Sequence, residues 1–267
     1  MAYLRRSSAP KHPYHADLLR GAVEFAARYG YTIDHIPFAS PSEKGLERVL
    51  RARGIRGLLI EPIHPEDAGL KLDFSQFAVV VVDNPLFSPD YDRVTFDNFG
   101  GGQESFEQCV RRGYARPGLV LSELADRNGE TKTKGGYMMR MLERGLTPPV
   151  RPLIMKEWNE TRFVRWMESE SIDAVITSQM FLSQAKAALA KLGLRIPQDV
   201  GVLNNNIHEL PATTSGLYHN NEEIGAFAAE LLINKLTRNE YGANANPRVI
   251  SQRGRWVEGG TLRDSVP

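Results

Sequence analysis

Two apolar runs constrain this chain more than any other feature. Residues 57–61 read GLLIE and residues 78–83 read AVVVVD. Neither alternates between apolar and polar, so neither suits a strand with one wet face. Both read as strands covered on both sides, the condition of a parallel sheet sandwiched between helices. Other strands are expected at 2–6, 31–36, 118–121, 152–155, 174–177 and 200–203. Between them, 3.6-residue periodicity predicts helices at 14–29, 101–112, 134–144, 161–169, 180–192 and 222–238. Alternation of this kind implies βαβ units.

Local signals agree. Leu18, Leu19, Ala22, Val23 and Ala26 share one helical face, and Gly30 suits the left-handed position beyond its end. Residues 40–43 (SPSE) have capping-box spacing, with a helix running from there to about Arg53. Asp97 and Asn98 suit the entry of the next helix. The 267 residues are too many for one small core, and two such series follow one another. The expected fold class is therefore α/β, with two doubly wound parallel-sheet lobes. Ligands of open α/β sheets bind beyond the carboxyl ends of the strands. Here those ends are Glu61-Pro62, Asp83-Asn84, Ser122, Trp158, Ser178-Gln179 and Asn204 to Asn206. Facing strand ends would form an interlobe cleft that closes about a hinge.

Composition narrows the function. A net charge of +1 leaves no basic field for holding nucleic acid directly. Cys109 is the single cysteine, which excludes an intrachain disulfide and reads as a small buried hydrophobe. The six histidines are scattered without metal-ligand spacing, so no metal and no cofactor is expected. The start, MAYLRRSSAPKHPYH, lacks the apolar core of a secretory signal, and no run is long enough to span a membrane. Both point to the cytoplasm, although a periplasmic protein stripped of its signal would look the same.

No catalytic constellation emerges. The glycines of 99–102 (FGGG) lack the Lys-Ser/Thr of a phosphate loop and read as tight entry into a helix. No GxSxG occurs. Asp83 and Asp97 could form an acid–base pair, but carboxylates at strand ends also cap helices and bind hydroxyls. Trp158 offers a flat apolar face to a sugar or base, or packs beneath a loop.

Five segments resemble the effector-binding core of the lactose-repressor (LacI/GalR) family of transcription regulators. They are 14–21 (YHADLLRG), 57–62 (GLLIEP) with 79–83 (VVVVD), 94–101 (VTFDNFGG) followed by Arg112-Gly113-Tyr114, 193–200 (GLRIPQDV), and the tail 253–261 (RGRWVEGGT). The resemblance spans nearly the whole chain. It implies two periplasmic-binding-protein type I lobes linked by three crossovers, with residues 1–113 and 219–242 in the first. Residues 114–218 and 243–267 would form the second, finished by the strand region 248–261. It implies a side-by-side homodimer, and a helix-turn-helix head ahead of the first strand, outside this chain.

By position, the resemblance places effector contacts on Tyr14, His15, Asp83, Arg127 (in a loop 126–129), Thr133, Trp158, Ser178, Gln179, Asn206 and His219. Three positions depart from the family pattern. Thr133 stands where an effector-binding arginine is usual, and Gln179 and Asn206 stand where acids are usual. Arginine and carboxylates grip vicinal hydroxyls through charge-assisted bonds, whereas amides and hydroxyls do so without charge. The expected function is the ligand-sensing, dimerising core of a regulator that is not an enzyme. It would bind a small effector, a sugar or sugar derivative, and control DNA binding through the absent head. The alternative is a periplasmic solute-binding protein of the same fold.

Overall fold

The computed structural model describes residues 1–6, 13–38, 45–61, 72–83, 91–129 and 131–265, with side chains at 13 and 128 left aside. The capping-box segment 40–43, Pro62 and Asn84 lie outside the described residues. The chain forms two units, Met1–Phe96 with Asn220–Gln252, and Asp97–His219 with Arg253–Pro267.

In the first unit, β1 (Ala2–Arg6), β2 (Asp34–Phe38), β3 (Gly57–Ile60), β4 (Ala78–Val82), β5 (Arg93–Phe96) and β11 (Val249–Gln252) form one sheet. Its order is β11-β5-β4-β3-β1-β2, all parallel. The helices are α1 (Pro13–Arg28), α2 (Leu46–Ala52) and α8 (Asn221–Thr237). Both runs that lacked alternation are central strands with every residue buried. Successive side chains of β4 enter two separate cores. Val79 and Val81 join Leu50 and Phe77 on one face, while Val80 and Val82 join Leu18 and Ile224 on the other. Each buried valine stabilises the fold by about 1.5–3 kcal/mol.

The second unit repeats the topology. Its strands are β6 (Pro117–Ser122), β7 (Leu153–Met155), β8 (Ala174–Thr177), β9 (Gly201–Ile207), β10 (Gly216–Tyr218) and β12 (Arg255–Val257). Their order is β12-β10-β9-β8-β6-β7, parallel except for the antiparallel β10–β12 pair. Its helices are α3 (Asn98–Arg111), α4 (Glu123–Asn128), α5 (Lys132–Glu143), α6 (Glu160–Glu170) and α7 (Gln179–Lys191). Cys109 is buried in the core of this unit.

Three expectations are corrected. Helix α3, expected in the first lobe, belongs to the second unit because its glycines let it lie directly on α5. A Cβ on Gly102 would overlap the Thr133 carbonyl oxygen, and one on Gly136 would overlap that of Phe99. Residues 248–252 do not finish the second sheet. They form β11, which pairs in register with β5 in the first, and only β12 closes the second. Arg127 lies on α4 rather than in a loop, because the Ser122 hydroxyl accepts from the Ala125 N–H and starts a helix there.

The unit helix pairs correspond. In the first unit α8, which follows a crossing between units, meets α1 as α3 meets α5. Cβ atoms on Gly21 and Gly225 would overlap the Glu222 and Leu18 carbonyl oxygens. Beside α8, Lys235 and Asp92 are both buried. Asp92 accepts from Lys235 Nζ at 2.8 Å, from the Arg248 N–H at 2.8 Å and guanidinium at 2.7 Å, and from Asn244 at 3.1 Å. This cluster anchors the approach to β11.

Candidate functional site

The first unit gathers polar side chains at the carboxyl ends of its strands. Asp83 follows β4 with φ of 65°, a left-handed conformation that costs a non-glycine residue about 1–3 kcal/mol. It is held there by its own N–H, which donates to Val94 O at 2.7 Å. Tyr14 donates to Asp83 Oδ2 at 2.7 Å and Thr95 to Oδ1 at 3.2 Å. Burial, and then the Asp83 carboxylate, raise the Tyr14 pKa well above the usual phenol value, so the hydroxyl stays protonated as a donor.

Beside it, buried Glu61 accepts from Tyr3 at 3.0 Å. Arg5 Nε lies 3.4 Å from the Glu61 carboxylate. His15 Nδ1 is 3.1 Å away, at ion-pair distance but out of line for a hydrogen bond. The rings of Tyr14 and His15 meet edge to face at 5.0 Å. Tyr14, His15 and Asp83 thus lie together at the strand ends of the first unit. Tyr3, Arg5 and Thr95 were not foreseen. The two-residue spacing of Tyr3 and Arg5 along a strand, which puts them on one face, was the available signal.

In the second unit, Ser178, Gln179 and Asn206 lie at the ends of adjacent strands β8 and β9. Asn204, expected only as part of a polar strand end, links them. Its Nδ2 donates to Gln179 Oε1 at 2.8 Å, and its Oδ1 accepts from the Asn206 N–H at 3.0 Å. Trp158 is half-buried, 4.9 Å from the Phe163 ring and 5.5 Å from Phe181 in the first turn of α7. It is a partly exposed aromatic on a rigid aromatic base. Thr133 is buried at the α3–α5 crossing, and Arg127 is exposed on α4.

His219 is buried at the end of the segment leading out of this unit, with Nε2 3.0 Å from Asn205 O. A carbonyl only accepts, so Nε2 carries the proton of the neutral ring. Burial pushes the His219 pKa down from 6.5 to about 4, against the opposing bond to Asn205. The unfolded chain therefore takes up a proton that the folded chain refuses. Stability is full above about pH 6.5 and is lost as pH falls toward 4, by roughly 3 kcal/mol in all. Denaturant midpoints across that range should show the slope, and His219→Gln should flatten it.

Among the described residues no group of His, Cys, Asp and Glu could hold a metal ion, and no helix is long and apolar enough to cross a membrane. Two units of one topology, joined by three chain crossings and polar at their strand ends, define the class of two-unit α/β binding cores. A family model described as periplasmic binding proteins and sugar binding domain of the LacI family matches residues 4–164, and one for a periplasmic binding protein-like domain matches 106–262. The chain belongs to this family, as the effector-binding core of a LacI-family regulator.

Its relatives are distant. The HTH-type transcriptional repressor PurR of Edwardsiella ictaluri is 22% identical over 270 residues, covering 92% of this chain and 77% of its own. PurR of Pectobacterium atrosepticum is 23% identical over 279 residues, covering 97% and 80%. Among solved structures, a LacI family transcriptional regulator from Enterococcus faecium with bound ribose aligns at TM-score 0.74 and 15% identity, over 98% of this chain and 99% of its own. The transcriptional regulator CelR–cellobiose complex aligns at TM-score 0.77 and 19% identity, over 97% and 83%.

Proposed function

We infer that the chain is the ligand-sensing and dimerising core of a LacI-type transcriptional regulator. It would hold a small effector, a sugar or sugar derivative, at its strand-end residues, and so control DNA binding by a helix-turn-helix head. The observation that carries this reading is the strained Asp83. A left-handed aspartate held by a tyrosine, a threonine and its own backbone is the kind of fixed acceptor that a hydroxylated ligand requires. Relatives described as repressors, and related folds described with ribose or cellobiose, support the assignment. The solute-binding alternative draws on the shared fold and on the periplasmic binding proteins that the same family model describes.

Control of DNA binding requires that the effector prefer one arrangement of the units, since equal affinity for two states shifts neither. The test is thermal unfolding of the purified chain against neutral sugars, sugar acids and sugar phosphates. An effector at about 100 times its Kd should add roughly 2.7 kcal/mol of stability. Trp158→Ala should remove most of that shift, because stacking on the indole is lost. An undiminished shift would take Trp158 out of the site, and no shift with any sugar would sink the reading. Sedimentation at high concentration should give a dimer.

A further inference from the structure

The cluster at the ends of β8 and β9 carries no formal charge, and its hydrogen bonds dictate how its amides are turned. The Asn206 backbone N–H can only donate, so the Asn204 atom it meets is oxygen. The Asn204 NH2 group therefore faces Gln179 and makes Gln179 present its own oxygen in return. That leaves the Gln179 NH2 group, with two donors, for an acceptor outside the relay.

Two buried oxygens beside it are unspent. Asn206 Oδ1 has no donor. Ser178 is the residue before α7, where a serine ordinarily caps the helix, as Ser122 does for α4. Ser178 makes no cap bond, is 6% exposed, and its Oγ has no partner. A buried hydroxyl left unpaired is costly, because it has given up its water without a replacement. Resting on the effector-sensing reading, we propose that Gln179, Asn206 and Ser178 form a charge-free recognition edge that selects an uncharged hydroxyl-bearing ligand. Gln179 donates to a ligand hydroxyl, Asn206 Oδ1 accepts from one, and Ser178 does either. Ser178, Gln179, Asn204 and Asn206 themselves offer no cation to a carboxylate or phosphate, which instead meets the acceptor Asn206. The same four residues offer an ammonium no carboxylate. Selectivity thus rests on Gln179, with Asn204 as the residue that positions it.

Isothermal titration with matched sets tests this. Ribose is compared with ribonate and ribose 5-phosphate, and glucose with glucuronate, glucose 6-phosphate and glucosamine. The neutral member of one set should bind at least about tenfold more tightly than its charged partners, a gap of roughly 1.4 kcal/mol. A charged member that binds as well as or better than the neutral one overturns the proposal and leaves effector sensing intact. If no member of either set binds, the sugar-sensing reading and this proposal fall together.

Gln179→Glu keeps the acceptor that Asn204 needs and removes both donors. Because Gln179 is exposed, the fold should be unaffected. Affinity for the neutral sugar should fall about tenfold with the unfolding temperature of the free protein unchanged. Unchanged affinity would overturn the role of Gln179.

Discussion

Asp92→Asn is expected to cost the first unit about 3–5 kcal/mol, the usual effect of removing one partner from a buried ion pair. Burial by itself would raise the Asp92 pKa, yet the Arg248 guanidinium and N–H, Lys235 and Asn244 together hold it well below the ordinary carboxylate range. The charge is therefore present in the folded protein, and Lys235 depends on it. The amide would leave a buried ammonium facing a neutral group. It would also release Arg248, whose N–H and guanidinium fasten the start of β11. Urea unfolding monitored by circular dichroism measures the loss. The double variant Asp92→Leu with Lys235→Met should recover only the part due to the stranded ammonium, because leucine gives the Arg248 N–H and Asn244 no acceptor. A loss below about 1 kcal/mol in the single variant would mean that the pair is solvated on the folding timescale.

Gly225→Ala should destabilise by about 3 kcal/mol although helix propensity alone predicts a gain of roughly 1 kcal/mol. The new methyl would overlap the Leu18 carbonyl oxygen and sit 2.8 Å from its carbon and 3.1 Å from the Ala22 nitrogen. All three are backbone atoms of a helix, so no rotamer change relieves them, and α8 would have to lift from α1. Gly136→Ala tests the corresponding crossing in the second unit, against the Phe99 carbonyl. Thermal unfolding of each variant decides the sign. A raised midpoint for Gly225→Ala would show that the helices separate at negligible cost.

The fold was legible where burial writes itself into residue choice. The continuous valines of β4 and the glycines after helices, such as Gly30 and Gly193 with φ of 76° and 72°, are local consequences of local constraints. The partner of α3 was not legible. An apolar helical stripe records that a face is covered but not which neighbour covers it, and Gly102 and Gly136 are far apart in sequence. β5 (RVTF) and β10 (GLY) carry no continuous apolar run of the kind that marks β3 and β4. In the candidate site, residue types were readable and relations were not. Gln179 and Asn206 could be named from position, whereas the part of Asn204 depends on a bond between adjacent strands that sequence spacing does not reveal.

The placement of α8 and β11 bears on how the protein is made. Both are synthesised after almost all of the second unit, so α1 lacks its covering helix until residue 237 has been made and the first sheet lacks its edge strand until residue 252. Until then the nascent first unit shows an unpaired β5 edge and a bare apolar helix face, both invitations to chaperones or to aggregation. A ribosome stalled just after residue 219 would hold a chain whose second unit has nearly all its core while the first lacks the share that α8 supplies.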